Sequence, residues 1–391
     1  MAATGNNPYS MMLVTDNPGG DWQKGDVLIG NWNDANNVNF GQGNLLTLVR
    51  NGANVKQYTL SAQGNCATNF AGSGQSVGTG LGLTMAGAYL GRGYLMQCSL
   101  PIAIPSGSSP ANNSNTASFP GQPGCCMIVN NQGKIVATYS GNGINGPWGM
   151  AVQSDNDGDN FYVWLSNVLG QQNNPNDSNK GTVIRYHFKL PHSDGNWKSS
   201  SGGNPGTIGQ PTTLFSGFHS TPSGITGGTV GPAGLAFSQQ SGCLVVMGTV
   251  SGTPAQAGKM YKICNAKQTG GGQRQDLKQC QGAPTPFKCG NGCNGPIGAN
   301  FIAPGIFAQA NGQDGCINAY NENGNLLGSV LIDGNPANGN PGQGNLFNLI
   351  AISQSSNNPS LLIVDDGQNA AFLNPAGSSS AGGRKLFDFM A

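Results

Sequence analysis

The sequence predicts an all-β fold, a six-bladed β-propeller with four-stranded antiparallel blades. Three observations point there. A phrase recurs as Gly146-Pro147-Trp148-Gly149, Gly231-Pro232-Ala233-Gly234 and Gly295-Pro296-Ile297-Gly298. Looser copies stand at Asn7-Pro8-Tyr9-Ser10, Thr79-Gly80-Leu81-Gly82 and Asn345-Leu346-Phe347-Asn348. Each copy opens a series of short apolar runs of about 4–6 residues, rich in β-branched and aromatic side chains and bounded by Gly, Asn and Asp, which is strand punctuation. The chain holds 64 glycines among 391 residues, and asparagine alone outnumbers all charged residues. Both residue types suit the tight turns between strands. Six copies of a four-strand unit describe a closed set of blades, each burying its faces on its neighbours.

The third unit shows the pattern most clearly, with strands a to d at 148–152, 161–165, 182–187 and 212–215. The first unit has a near 9–14, then 26–30, 45–50 and 55–60. The second has 81–85, 94–97, 126–129 and 135–139. The fourth has 233–237, 243–247 and 259–263, with strand d unplaced. The fifth has 297–302, 306–310, 316–320 and 326–330. The sixth has 347–352, 361–364, 370–373 and a fourth strand at 385–389. The blades thus span 7–60, 80–139, 146–215, 231–265, 295–330 and 345–389 of one propeller domain covering 1–391, with a disulfide-rich inter-blade insertion at 266–294. The chain begins on an innermost strand and ends on an outermost one, so packing of blade six on blade one is expected to close the ring.

The phrase has a physical role at strand a. Gly and Pro turn the chain inward, the next apolar residue begins the innermost strand, and the last Gly lets neighbouring backbones crowd. The runs "GPWGMAV…NFYVWLSN…GTVIRYHF" and "GPAGLAFSQQSGCLVVMG" resemble blades of the NHL-repeat and streptogramin-lyase-like propellers. The opening "NPYSMMLVTDNPGGDWQKGDVLIGNWND" resembles the first blade of secreted bacterial propellers of that type. The resemblance covers nearly the whole chain and bears on fold more than on function.

Charged residues are 8% of the chain, against about 25% in typical globular proteins, and the net charge is +1. No basic stripe exists to neutralise phosphates, so nucleic acid is not an expected partner. No apolar run reaches the ~18–20 residues of a membrane span. A surface of Asn, Gln, Ser and Gly hardly changes charge with pH, which suits an acidic or variable extracellular setting. The start Met1-Ala-Ala-Thr reads as an initiator methionine before a mature N-terminus, as after removal of a signal peptide. Glycosylation sequons stand at Asn112 and Asn176.

Ten cysteines, an even count without zinc spacing, read as disulfides of a secreted protein. Cys243 opens strand b of blade four and Cys264 ends its strand c, so antiparallel pairing sets them opposite each other. Cys98 ends strand b of blade two, where Cys125 and Cys126 open strand c. One of those two is expected to join Cys98 and the other Cys66. Cys280, Cys289, Cys293 and Cys316 are expected to staple the insertion between blades four and five.

In such blades the b–c and d–a loops leave one end of the strands, and the a–b and c–d loops leave the other. The long loops sort onto the first end: b–c at 31–44, 98–125 and 166–181, and d–a at 61–80, 216–231, 266–295 and 332–345. The opposite loops are mostly tight. Function-bearing loops gather this way on rigid scaffolds, so the long-loop end is the expected binding face for a small molecule, a glycan or a protein, with self-assembly another use.

Polar residues end several b strands. By symmetry Asn31, Asn167, Thr249, Asn311 and Asp365 are expected to ring the channel mouth, with Asn31, Asn167, Asn311 and Asp365 the candidate metal ligands. In gluconolactonase-like and strictosidine-synthase-like propellers a central Asn/Asp/Glu set holds a divalent cation, and oxygen ligands of this kind suit a hard ion such as calcium. Here only Asp365 and neighbouring Asp366 bring charge, and turn capping is the competing role. Asp155-Asn-Asp157-Gly-Asp159 alternates carboxylates like a calcium loop but lacks the distal Glu, so an Asx-rich turn is expected. His187, His192 and His219 lie off the inner strands, which weighs against a lyase. Trp22, Trp32 and Trp197 either stack on sugars or pack blades. Two functions follow: a secreted binding or structural protein working through its long-loop face, and a metal-dependent hydrolase or lyase with its site at the channel mouth.

Overall fold

The structure is a computed structural model that describes residues 8–33, 43–61, 66, 81–100, 124–141, 143–155, 160–168, 181–190, 210–218, 231–249, 258–268, 273–279, 289, 293, 295–312, 314–332, 346–353, 360–365 and 369–373. Two compact units divide the chain, Ala2–Pro232 and Ala233–Ala391. Each is a series of antiparallel blades in the propeller arrangement, with strands in chain order across every sheet.

The N-terminal unit has three four-stranded blades. Blade one is β1 (Pro8–Leu13), β2 (Val27–Asn31), β3 (Leu45–Arg50) and β4 (Ala53–Thr59). Blade two is β5 (Leu83–Gly91), β6 (Tyr94–Ser99), β7 (Cys125–Asn130) and β8 (Ile135–Tyr139). Blade three is β9 (Pro147–Ser154), β10 (Asn160–Asn167), β11 (Gly181–Lys189) and β12 (Thr212–Phe218). Two apolar layers glue them. Leu28, Leu46, Leu48, Leu83, Leu95 and Met127 fill the space between blades one and two. Met96, Ile128, Phe161, Val163, Ile184 and Phe188 fill the space between blades two and three. Apolar residues at every second position of facing strands make both layers possible.

The C-terminal unit has β13 (Gly231–Phe237), β14 (Leu244–Thr249), β15 (Lys259–Cys264) and β16 (Gln273–Gln279) as blade four. Blade five is β17 (Pro296–Ala303), β18 (Ile306–Asn311), β19 (Cys316–Asn321) and β20 (Leu326–Leu331). Blade six shows three strands, β21 (Leu346–Ser353), β22 (Ser360–Asp365) and β23 (Asn369–Leu373). The fourth strand expected at 385–389 lies outside the described residues. Strand d of blade four, unplaced from sequence, is β16, and it occupies part of the segment assigned to the 266–294 insertion. Its run Gln-Arg-Gln-Asp-Leu-Lys-Gln carries a single apolar residue, Leu277, which packs on the layer between blades four and five. An outermost strand needs little more than that.

The recurring phrase does what its composition predicts. Its first glycine has positive φ in all three full copies, 70° at Gly146, 142° at Gly231 and 61° at Gly295, a region L-residues avoid. Its last glycine removes a side chain where blades meet. A Cβ on Gly234 would overlap the Ile297 carbonyl oxygen, and one on Gly298 the Phe347 carbonyl oxygen. A second handover repeats in both units. Gly124, just before β7, lies against the Pro147 ring of the next blade, and Gly258, just before β15, against Pro296.

Four disulfides join described residues: Cys66–Cys125, Cys98–Cys126, Cys243–Cys264 and Cys289–Cys316. The Cys243–Cys264 pairing is as expected, with Cα atoms 4.1 Å apart. The open choice in blade two resolves by register. Cys98 lies directly opposite Cys126, and Cys125 reaches Cys66. Cys293 is also disulfide-bonded, to a partner outside the described residues, where Cys280 lies too.

Candidate functional site

Antiparallel order within every blade puts the b–c and d–a connections at one end of its strands. In the N-terminal unit these run over 32–44, 100–124 and 168–180 (b–c) and 60–82, 140–146 and 219–230 (d–a). The a–b and c–d connections at the other end include 51–52, 92–93, 131–134 and 155–159. Two of that class are longer, 14–26 and 190–211. In the C-terminal unit the long connections are the d–a segments 280–295 and 332–345, while its b–c segments 250–258, 312–315 and 366–368 are shorter.

The residues expected to form a polar ring occupy equivalent register positions. Asn31 pairs with Pro8, Asn167 with Pro147, Asn311 with Pro296 and Asp365 with Leu346. In each blade the last residue of strand b therefore faces the first residue of strand a. In three blades the partner is proline, which has no N–H to offer the ladder, and in two of these the asparagine amide bonds to the adjoining connection. Asn167 is fully buried. Its Oδ1 accepts from Asn145 N at 2.9 Å, and its Nδ2 donates to Gly143 O at 2.8 Å and to Thr182 Oγ1 at 2.9 Å. Asn311, also buried, donates from Nδ2 to Asp314 Oδ2 at 3.1 Å and accepts from Gln309 Nε2 at 2.5 Å. Asp314 Oδ1 in turn accepts from Cys316 N at 2.9 Å. Both amides thus tie down connections of their own blades, the capping role weighed against metal binding. Among the described residues no three His, Cys, Asp or Glu side chains gather as a metal cluster.

An aromatic cluster stands at the same end of the N-terminal unit. Tyr9 follows Pro8 in β1, Trp148 follows Pro147 in β9, and Trp32 follows the last residue of β2. Tyr9 and Trp32 stack in parallel with centroids 5.3 Å apart, and Trp148 meets them edge-on at 5.8 and 5.4 Å. The structure joins Trp32, weighed above between stacking on sugars and packing blades, to Tyr9 and Trp148. The signal was present, because the residue after the phrase's proline enters the inner strand of each blade. Trp22 is instead a core residue on the opposite side of blade one, with Nε1 donating to Tyr58 Oη at 3.1 Å. Trp197 lies outside the described residues.

The opposite end of the strands carries the charge. Asp26, 1% exposed, takes a two-pronged contact from Arg50 at 2.7 Å on each oxygen, the strongest geometry for such a pair. Asp21 accepts from Lys56 Nζ at 2.6 Å, and that hydrogen bond lowers its carboxyl below the ordinary value. Asp16 crosses from blade one to blade two, accepting from Tyr89 Oη at 2.5 Å and Arg92 N at 2.8 Å. In the C-terminal unit Glu322 of blade five reaches blade four, where Ser238 Oγ donates to it and Lys262 Nζ stands 3.4 Å away. Burial opposes ionisation of Glu322, but the Ser238, Ser241 and Lys262 contacts outweigh it and hold the carboxyl below its ordinary value.

Asp155 opens the acidic a–b turn of blade three, where its N–H donates to Asn160 O at 2.7 Å. Asp157 and Asp159 lie outside the described residues. His187 is on β11, with Nε2 3.7 Å from Asp155 Oδ2 and its ring stacked on Tyr162 at 4.5 Å. It is therefore off the inner strands, as expected. His192 and His219 are outside the described residues, as are Asn112 and Asn176. No helix among the described residues is long and apolar enough to cross a membrane.

No protein-family model and no curated protein matches the chain in sequence. Among solved structures it is similar to a gluconolactonase from Xanthomonas campestris, at 12% identity over 93% of this chain and 84% of that one, with a TM-score of 0.47. It is similar to regucalcin, a calcium-binding protein from Agrobacterium tumefaciens, at 10% identity over 92% and 82% of the two chains, with a TM-score of 0.42. It is also similar to a catalytically inactive variant of virginiamycin B lyase from Staphylococcus aureus, at 13% identity over 97% and 83%, with a TM-score of 0.40.

Proposed function

We propose that the chain is a secreted six-bladed propeller of the NHL-repeat and streptogramin-lyase-like type that binds a ligand through the end of its strands bearing the b–c and d–a loops. One observation carries this reading. Most of the long insertions leave that end, while the opposite end is dominated by tight hairpins and inter-blade polar contacts such as Asp16–Tyr89 and Ser238–Glu322. A scaffold pinned at one end and elaborated at the other suits recognition. The disulfides favour an oxidising, extracellular setting.

A second reading is a metal-dependent hydrolase or lyase. It draws on the equivalent register of Asn31, Asn167, Asn311 and Asp365. Each of these residue types carries a side-chain oxygen, the hard donor a calcium-like ion takes, and such an ion would polarise a bound carbonyl. The carboxamide oxygens of Asn167 and Asn311 are already engaged by protein donors, which weighs against it. Metal analysis of the purified chain separates the two. A stoichiometric divalent ion that is lost on Asp365→Ala supports the enzyme; a chain without bound divalent ion supports the binder.

A further inference from the structure

An asparagine that precedes glycine is prone to lose its side-chain amide, because the glycine nitrogen, with no Cβ beside it, reaches the Asn Cγ unhindered. Four Asn-Gly pairs lie wholly among the described residues: Asn51-Gly52, Asn145-Gly146, Asn311-Gly312 and Asn323-Gly324. The fold protects three of them. Asn311 is buried, its amide bonds to Asp314 and Gln309, and the Gly312 N–H donates to Gly295 O at 2.9 Å. The Gly324 N–H donates to Asn321 O at 2.9 Å. Asn145 buries its carboxamide oxygen. Asn51 differs on each count. It is exposed, and its carboxamide makes no hydrogen bond with another described residue. Nothing lies within 4 Å of the place a Cβ on Gly52 would take. The Gly52 N–H stands outside the ladder, beyond its last pair, Arg50 with Ala53.

Asn51 and Gly52 have φ of 51° and 78°, the two left-handed positions of the tightest hairpin turn. Ring closure between them needs the Asn51 main chain to leave this conformation, so the turn must open first. The register of β3 and β4 sets how little has to open. It shifts between Leu48 and Val49, which leaves Val55 as a bulge, 49% exposed. Beyond the bulge two pairs hold the tip, Val49 with Asn54 and Arg50 with Ala53. On the other side of it Lys56 and Tyr58 are anchored on Asp21, at 2.6 and 3.2 Å. Residues 53–57 of β4 are all exposed. A short ladder on exposed backbone is the low-stability end of a fold, so the tip opens as far as the bulge while the blade stays closed.

We propose that the β3–β4 turn is a self-modifying site, at which Asn51 deamidates with water as the co-reactant. The Gly52 nitrogen gives up its proton and attacks Asn51 Cγ. The bond from Cγ to the amide nitrogen breaks, and ammonia leaves with that proton. Water then opens the cyclic imide at either carbonyl, leaving aspartate or isoaspartate at position 51. The formal net charge of the chain is +1, so one new carboxylate cancels all of it. Isoaspartate also puts an extra methylene into the main chain. A two-residue turn closed by Arg50 and Ala53 has no room for it, so β4 is released as far as the bulge. The age of the molecule is thereby written into the charge and the outer edge of blade one. The site is independent of what the chain binds.

The test is incubation of the full native chain at mildly alkaline pH in oxygen-18 water, followed by peptide mapping with mass spectrometry. The isotope marks conversions that precede digestion. Asn51 is expected to convert at least about tenfold faster than Asn145, Asn311 or Asn323, since each tenfold needs only about 1.4 kcal/mol of easier opening. In the denatured chain the four should convert at similar rates, because glycine follows each of them. Conversion of Asn51 in the folded chain no faster than that of Asn311 or Asn323 would overturn the proposal. So would a faster Asn51 in the denatured chain by the same factor, since the fold would then contribute nothing. Release of β4 is read by hydrogen exchange over residues 49–54. The isoaspartyl fraction should exchange there at least about tenfold faster than Asn51→Asp, which carries the same charge on an ordinary main chain. Equal exchange in the two would show that the turn holds isoaspartate, and the release of β4 would fall.

Discussion

Pro147 opens β9 directly opposite Asn167, the last residue of β10. Proline brings no N–H to that pair, and Asn167 answers with three hydrogen bonds to Asn145, Gly143 and Thr182. The asparagine thereby joins the d–a connection before β9 to Thr182 near the start of β11.

Asn167→Ala should therefore destabilise the N-terminal unit by about 2–4 kcal/mol, since buried partners lose their bonds and a small cavity forms. Chemical denaturation followed by tryptophan fluorescence would show it as a lower midpoint. A midpoint within experimental error of the native chain would deny Asn167 its capping role.

Ser10 and Gln97 make a buried bridge between blades one and two. Ser10 Oγ donates to Gln97 Oε1 at 2.6 Å and accepts from Gly30 N at 3.1 Å, while Gln97 Nε2 donates to Thr84 O and Cys98 O at 2.9 Å each. A double-mutant cycle of Ser10→Ala and Gln97→Leu should return a coupling of about 0.5–3 kcal/mol. Gly87→Ala should damage the same bridge from outside, because its Cβ would come to 2.7 Å from Gln97 Oε1 and 3.0 Å from Ser10 Cβ. Additive effects of Ser10→Ala and Gln97→Leu would show that the two side chains do not act together.

Glu322 gives the C-terminal unit an acid-sensitive contact in a chain otherwise poor in titrating groups. Its folded pKa is lowered, so the stability it contributes is full above the unfolded carboxyl value of about 4.3 and is lost as pH falls through the folded value. Glu322→Gln should lower the melting temperature at neutral pH, corresponding to about 1–3 kcal/mol for lost charge-assisted bonds. It should also flatten the dependence of stability on pH below about pH 4.3. Parallel pH-dependent slopes for variant and native chain would refute the assignment.

The disulfides rank by the length of chain they close. Cys66–Cys125 spans 59 residues, against 28 for Cys98–Cys126 and 21 for Cys243–Cys264. Loop-closure entropy then assigns each about 3–4 kcal/mol, the first the most. Pairwise Cys→Ser replacement with thermal melts tests the order. Equal losses at all three sites would mean that local packing, rather than chain entropy, sets their contribution.

Much of the fold was legible because blades are local. β3 and β8 fall on the residues their apolar runs indicate, and most other strands extend those runs by one to several residues at an end. Extension is what hydrogen bonding adds beyond side-chain pattern: Asn160 and Lys189 pair across β10 and β11 although neither is apolar. β16 was missed because an outermost strand buries one face at most, and Gln273–Gln279 carries only Leu277 as an apolar mark. At the candidate site, the register of Asn167 and Asn311 was readable from repeat symmetry, but their hydrogen-bond partners were not. Gly143 and Asp314 sit in connections that have no period. The meeting of Trp32 with Trp148 was hidden for another reason, since it depends on how closely the inner strands of blades one and three approach.

Gly234 and Gly298 fix the pitch between successive blades of the C-terminal unit by contact of main chain with main chain. That pitch is set without the segment linking β20 to β21, whereas the segment linking β16 to β17 is tied to the stacking through the Cys289–Cys316 disulfide and the buried Cys293. Residues added or removed between β20 and β21 are therefore expected to leave the stacking as it was. A lineage built on this plan can change what it recognises quickly and its frame hardly at all, and the same property makes the chain a candidate for grafting foreign loops.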